Sequence, residues 1–157
     1  MIDFPKSRPK GRTAVVIRTK DRPLFLARAI ESVLAQTSSD WCISVVNDGG
    51  DRSSLEKTLS PYIERLRGRL TVVHFEKSEG RGKGKHLNAG LGAVESDLVA
   101  IHDDDDSWEP SFLERARTRM GDKSAVVTQS WWITERLENG ALTELSRELY
   151  EPWQKNG

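Results

Sequence analysis

Four short apolar runs, Thr13–Ile17, Trp41–Val46, Leu70–Phe75 and Leu98–Ile101, alternate along the chain with segments of helical periodicity. Such runs, rich in β-branched residues, read as buried strands. After the first, Leu26, Ile30, Val33 and Leu34 recur at helical spacing, with Pro23 in the first turn where its missing N–H costs little. Leu55, Leu59, Ile63 and Leu66 mark a second amphipathic stretch, which Pro61 splits, and Leu87, Leu91 and Val94 mark a third. Strand and helix in alternation predict parallel βαβ units with right-handed crossovers, and so an α/β fold. Phe112, Leu113, Ala116 and Met120 then give a helix after Pro110, and Ala125-Val126-Val127 begins a strand expected to run through Trp131-Trp132-Ile133. Asn139-Gly140 is a hairpin turn returning through Leu142 and Leu145, which makes the sheet mixed though mostly parallel. Residues 1–12 read as a flexible lead-in, and 13–157 as a single domain.

The fourth run ends in His102-Asp103-Asp104-Asp105-Asp106. Consecutive carboxylates repel one another, so their gathering at a strand end calls for compensation. A solvated acidic turn is the plain alternative; a hard divalent cation, Mn²⁺ or Mg²⁺, carrying a substrate diphosphate is the functional one. Parallel strands also expose their C-terminal ends on one edge, where open α/β sheets bind ligands. Two further polar sets fall there, Arg18-Thr19-Lys20-Asp21 and Asn47-Asp48-Gly49-Gly50. Taken singly, Asp21 reads as a helix cap and Asp48-Gly49 as a turn. Together they put a carboxylate at three strand exits on one rim.

The loop Gly80-Arg81-Gly82-Lys83-Gly84-Lys85 supplies the opposite charge beside a helix N-terminus, an arrangement suited to phosphate. It matches neither the Walker loop nor the dinucleotide fingerprint. His86 follows it and would touch phosphate; His102 reads as packed, with metal ligation the alternative, and His74 as structural. Trp131 and Trp132 are adjacent on a strand and must face opposite ways, one toward a core and one toward an acceptor groove or solvent.

Balanced charge, 24 basic against 24 acidic residues, argues against a nucleic-acid partner. No apolar stretch reaches the roughly 18–20 residues that span a bilayer. The lone Cys42 lies in an apolar run, excludes an internal disulfide, and fits a cytoplasmic protein.

Five blocks, in order over about residues 13 to 115, resemble family 2 glycosyltransferases with the GT-A fold. Val15-Val16-Ile17-Arg18-Thr19-Lys20-Asp21-Arg22-Pro23 is similar to the family's first strand and turn, and Ala29-Ile30-Glu31-Ser32-Val33-Leu34-Ala35-Gln36-Thr37 to its first helix. Val45-Val46-Asn47-Asp48-Gly49-Gly50 resembles its second strand with a nucleotide-contacting aspartate. Gly82-Lys83-Gly84-Lys85-His86-Leu87-Asn88-Ala89-Gly90-Leu91 resembles its Gly-Lys block, and Ile101 to Pro110 its Asp-x-Asp-Asp-x-Trp-x-Pro element. The resemblance implies a Rossmann-like, mostly parallel sheet and a nucleotide-diphosphate sugar donor, a UDP-sugar first among them, with a carbohydrate or other hydroxyl acceptor. Carried over, Thr19 lines the base pocket, Asp48 contacts base or ribose, Asp103 or Asp104 reaches the ribose, and Asp105 with Asp103 holds the metal. Lys83 and Lys85 assist the leaving group, Asn88 and Asp21 complete the nucleotide-sugar site, Asp106 caps the helix after Pro110 or supports the site, and Trp108 packs beneath the acidic loop.

Such enzymes invert the anomeric centre with a carboxylate general base. No segment here resembles that base; Glu148 and Glu151 read as surface acids. The C-terminal part of the usual domain is expected to be missing, and the surface so left bare would favour dimerisation. A non-catalytic nucleotide-binding module is the competing reading. A nucleotidyltransferase ranks lower, because it would want a glycine-rich basic loop after the first strand.

Overall fold

The computed structural model describes residues 12–78, 83–128 and 130–150. Two compact units divide the chain, Met1–Glu114 and Arg115–Gly157.

The first unit is a four-stranded parallel sheet of β1 (Thr13–Thr19), β2 (Trp41–Asp48), β3 (Leu70–Phe75) and β4 (Leu98–Asp103), in the order β3-β2-β1-β4. Each strand runs to its polar end without a break in register, so Arg18 lies opposite both Val46 and Asp103. Side chains alternate across the sheet. Val15, Ile17, Ile43 and Val45 enter the larger core, with Leu26, Ile30 and Val33 of α1 (Pro23–Leu34) and Leu55 and Leu59 of α2 (Arg52–Leu59). Ala14 and Cys42 face the other way, toward Leu91 and Val94 around the end of α3 (Lys83–Gly92). Burial raises the Cys42 thiol to about 11, so it is inert.

Local chemistry sets the element ends. Pro23 starts α1, and Asp51 caps α2 by accepting from the Ser54 amide at 2.6 Å. Pro61 ends α2 as expected, the chain continuing as a 3₁₀ turn at Ser60–Tyr62. On the far face, α3 comes close enough that a Cβ on Gly90 would lie 2.5 Å from Val46 Cγ2 and 2.9 Å from Val16 Cγ1. Helix α4 (Phe112–Met120) begins against α1: the Leu113 amide donates to Gln36 Oε1 at 2.9 Å, and Gln36 Nε2 donates to the carbonyls of Ser32 and Glu109. Sequence reading offered Asp106 as that cap or as support for the site; at the Leu113 amide a side chain 77 residues upstream fills the capping role. Trp108 stacks between His102 and Phe112, with ring centroids 4.1 and 4.4 Å away.

The second unit holds the antiparallel hairpin of β5 (Ser130–Glu138) and β6 (Ala141–Tyr150). Asn139 and Gly140 both take positive φ, 51° and 80°, the type I′ geometry that this dipeptide favours. The hairpin forms its own two-stranded sheet, so the antiparallel pairing is not part of the parallel sheet. Residues 125–128 are irregular: the apolar triplet at 125 has no strand partner, and pairing starts only where β6 can reach. Trp131 and Trp132 do face opposite ways, but both are more than half exposed, so neither lies in a core. Among the described residues no helix is long and apolar enough to cross a membrane.

Candidate functional site

The strand order reverses at β1: its successors β2 and β3 lie on one side and β4 on the other. In open α/β sheets the crevice at such a switch point, beyond the C-terminal strand ends, is the ligand site. Here that crevice lies between Thr19 and the Asp103–Asp106 run.

Two polar networks occupy the rim, one on each face of the sheet. On the α1 side, Thr19 Oγ1 donates to Asp104 Oδ2 at 2.7 Å, and both residues are buried. Arg22 Nη1 donates to Asp104 Oδ1 at 3.1 Å and to Asp105 Oδ2 at 3.0 Å. Arg28 Nη2 donates to the Asp105 carbonyl. Asp104 is thus turned inward and fully engaged, while Asp103, Asp105 and Asp106 stay exposed. Partial desolvation first, and then the carboxylates of Asp103 and Asp105, hold Asp106 above the usual carboxylate range.

On the α3 side, Arg18 grips buried Asp48 with two donors on Oδ2, Nε at 2.9 Å and Nη2 at 2.6 Å. His86 Nδ1 lies 2.8 Å from Asp48 Oδ1, under the Phe75 ring 3.9 Å away. Burial pushes the Asp48 carboxyl up, but Arg18, Ser78 and His86 outweigh it and the net shift is downward. An ionised carboxylate is therefore fixed beneath the rim. Gly49 makes this possible, with φ of 72° and no room for a Cβ against the Ser78 amide.

His102 is structural, as its sequence context suggested. Its Nδ1–H donates to the Asp103 carbonyl at 2.7 Å and its Nε2 faces the Ser32 hydroxyl at 3.2 Å. Burial, only partly opposed by that carbonyl bond, lowers it to about 4.

The sequence-derived candidates thus fall into separate groups. Thr19, Asp104 and Asp105 are joined; Asp48 is joined to Arg18 and His86 instead. Asp21 takes a positive φ of 52° and accepts the Asp51 amide at 2.7 Å, tying the β1 loop to the β2 loop rather than capping α1. Lys85 and Asn88 are exposed on α3, and His86, expected to face phosphate, is turned inward. Lys83 begins the helix; its side chain and residues Gly80, Arg81 and Gly82 lie outside the described residues, as do Glu151 and Trp153. Among the described residues no three His, Cys, Asp or Glu side chains form a metal-ligand group. Sequence reasoning put Arg18 on the rim without a role and gave none to Arg22. Both flank the end of β1, the strand that pairs with the acid-bearing β4, and Arg18 stands in register with Asp103.

Compared with known proteins, the chain matches the model of Glycosyl transferase family 2 over residues 14–156. The UDP-Gal:alpha-D-GlcNAc-diphosphoundecaprenol beta-1,3-galactosyltransferase of Escherichia coli is 29% identical over 127 residues, 81% of this chain and 45% of that one. TarS 1-349 of S. aureus, in complex with UDP-GlcNAc, superimposes with a TM-score of 0.62 at 23% identity, covering 71% of this chain and 31% of that structure. The mannosyltransferase PcManGT of Pyrobaculum calidifontis, in complex with GDP-Man and Mn²⁺, gives 0.61 at 21% identity, covering 73% and 34%. The chain spans about a third to a half of the length of the curated relatives it matches. By that family match, and by a parallel sheet flanked by helices like those of GT-A structures, the chain belongs to glycosyl transferase family 2.

Proposed function

We propose that this chain carries the donor-binding half of an inverting glycosyltransferase, which moves a sugar from a nucleoside-diphosphate donor to a hydroxyl acceptor with Mn²⁺ or Mg²⁺. The observation that carries this reading is the sorting of successive aspartates at the switch point. Asp104 is buried and consumed by Thr19 and Arg22, whereas Asp103 and Asp105 are exposed, Asp105 with one oxygen on Arg22. Two rim carboxylates fit a small divalent cation, which takes its other ligands from water and substrate phosphates. Desolvation first, and then the carboxylates of Asp103 and Asp105, raise Asp106 beside them. When bound, the cation supplies Lewis-acid stabilisation of the departing diphosphate.

The chain's own residues bind and orient the donor. Thr19 lines the base pocket through its backbone, and Asp21 holds the adjoining loop to Asp51. Lys83, Lys85 and Asn88, from the first turns of α3, meet the diphosphate. Asp48 contacts base or ribose; since it is 1% exposed, that contact requires the start of α3 to shift. A uridine donor is favoured by the TarS complexes with UDP and UDP-GlcNAc and by the UDP-Gal of the E. coli relative's name. A cytoplasmic setting suits the lone buried thiol.

Calorimetric titration with UDP, GDP and dTDP, each with Mn²⁺ and with EDTA, tests the reading. Metal-dependent binding of one nucleotide, abolished by Asp105→Ala, is the expected result. Equal binding in EDTA, or binding indifferent to Asp105, overturns the metal role. The competing reading, a nucleotide-binding module without transfer, predicts the same binding with no donor consumed by the full-length protein.

A further inference from the structure

Arg22 is placed differently from the other cations of the rim. Its backbone sits at the N-cap of α1 without any side-chain cap bond, so the side chain is free to reach elsewhere. It passes beside the Phe25 ring, 5.9 Å from its centroid, and one nitrogen, Nη1, bridges Asp104 Oδ1 and Asp105 Oδ2. The two ion pairs are unequal. Asp104 is 8% exposed and is also fixed by Thr19, whereas Asp105 is 51% exposed and Arg22 itself 50%. The first contact is anchored and the second lies open to water and to competitors.

We infer that Arg22 is an internal counter-ion, holding the Asp105 carboxylate when no divalent cation is present and yielding it when one binds. The inference rests on the proposed role of Asp105 as a metal ligand. A carboxylate oxygen directed at a guanidinium at 3.0 Å is committed to that donor, and a cation entering on the same oxygen must displace it. Release does not strand the guanidinium, because Asp104 Oδ1 retains it and Thr19 retains Asp104. Arg22 then swings about a buried pivot, and the four-acid run is never left wholly uncompensated. Raising of the Arg22 guanidinium, chiefly by Asp104 and against some desolvation, accords with the anchored half of the bridge.

The test is Mn²⁺ binding by calorimetry on the whole chain, without nucleotide, for the wild type and four variants. Arg22→Gln removes the competitor and should tighten Mn²⁺ by roughly two- to five-fold, the size of an exposed ion pair. Arg22→Lys keeps the charge but loses the planar fork, and should fall between. Lys20→Gln is the control for charge alone: Lys20 is exposed, pairs with no carboxylate among the described residues, and should leave the affinity unchanged. Thermal unfolding gives a second readout. Arg22→Gln should melt below wild type in EDTA and regain that loss in saturating Mn²⁺, because a ligand of the folded state stabilises it. Unchanged or weaker Mn²⁺ binding by Arg22→Gln, or equal tightening by Lys20→Gln, overturns the counter-ion role while leaving the metal site standing. Mn²⁺ binding that survives Asp105→Ala overturns the metal site itself, and the counter-ion role with it.

Discussion

Thr19 Oγ1 and Asp104 Oδ2 meet at 2.7 Å across the crevice between β1 and β4, although 85 residues separate them in the chain. The bond decides which member of an acidic run turns inward. Thr19→Val keeps the shape and removes the donor, leaving a buried carboxylate short of one partner. Stability should fall by about 1–3 kcal/mol in urea denaturation, and Thr19→Ser should recover most of it.

Gln36 joins the end of α1 to the start of α4 by one acceptor and two donor contacts. Gln36→Leu fills the space but strands the Leu113 amide and two carbonyls. A loss of roughly 2–3 kcal/mol in chemical denaturation is expected, toward the upper end for unmade buried bonds. An unchanged midpoint would show that water replaces the amide without cost.

Asp48 should govern stability at the acid end. Burial alone would raise its carboxyl, but Arg18, Ser78 and His86 lower it in the folded state. A depressed carboxylate contributes stability above its unfolded pKa, near 3.9, and that contribution fades as pH falls through the folded value. Arg18→Met removes both donors on Oδ2 and should cost about 3 kcal/mol at neutral pH, the low end for a broken buried pair because Arg18 is partly exposed. Its acid-unfolding midpoint should also move to higher pH.

His102 acts with the same sign over a different window. Its folded pKa is lowered to about 4, by burial first, so the unfolded chain takes up a proton from about pH 6.5 downward that the folded chain refuses. Stability should therefore drop between pH 6.5 and 4, by about 1.4 kcal/mol per unit. His102→Leu removes this titration. The gap between wild type and variant should change between pH 7 and pH 5 in urea titrations; a constant gap would show that the ring titrates alike in both states.

Much of the sheet was legible because each strand is a contiguous apolar run and each connection carries its own stop signal. Pro61 ended α2 and Asn139-Gly140 turned the hairpin as their chemistry requires. The rim was legible only as a place. β4 ends at Asp103, so strand alternation does not reach the rest of the run, and the partner that turns Asp104 inward, Thr19, lies on another strand. That Asp48 would be taken by Arg18 and His86 depends on a strand neighbour and a helix arriving 30 and 38 residues away, and neither is encoded locally. The strand expected from Ala125 failed for a related reason: apolar residues mark a strand only where another strand can pair with them.

Gly90 makes α3 a lever whose fulcrum is a missing methyl group. Val16 and Val46 fill the space in which any side chain at this position would stand. Lys85 rides on the same helix five residues earlier, about 7.5 Å along its axis. A methyl added at Gly90 would lift the helix from the sheet, tilt that cation relative to the aspartates, and release His86 from Asp48. The spacing between the basic and acidic sides of the rim is therefore set on the opposite end of a helix, by hydrocarbon contact, at a residue that carries no chemistry of its own.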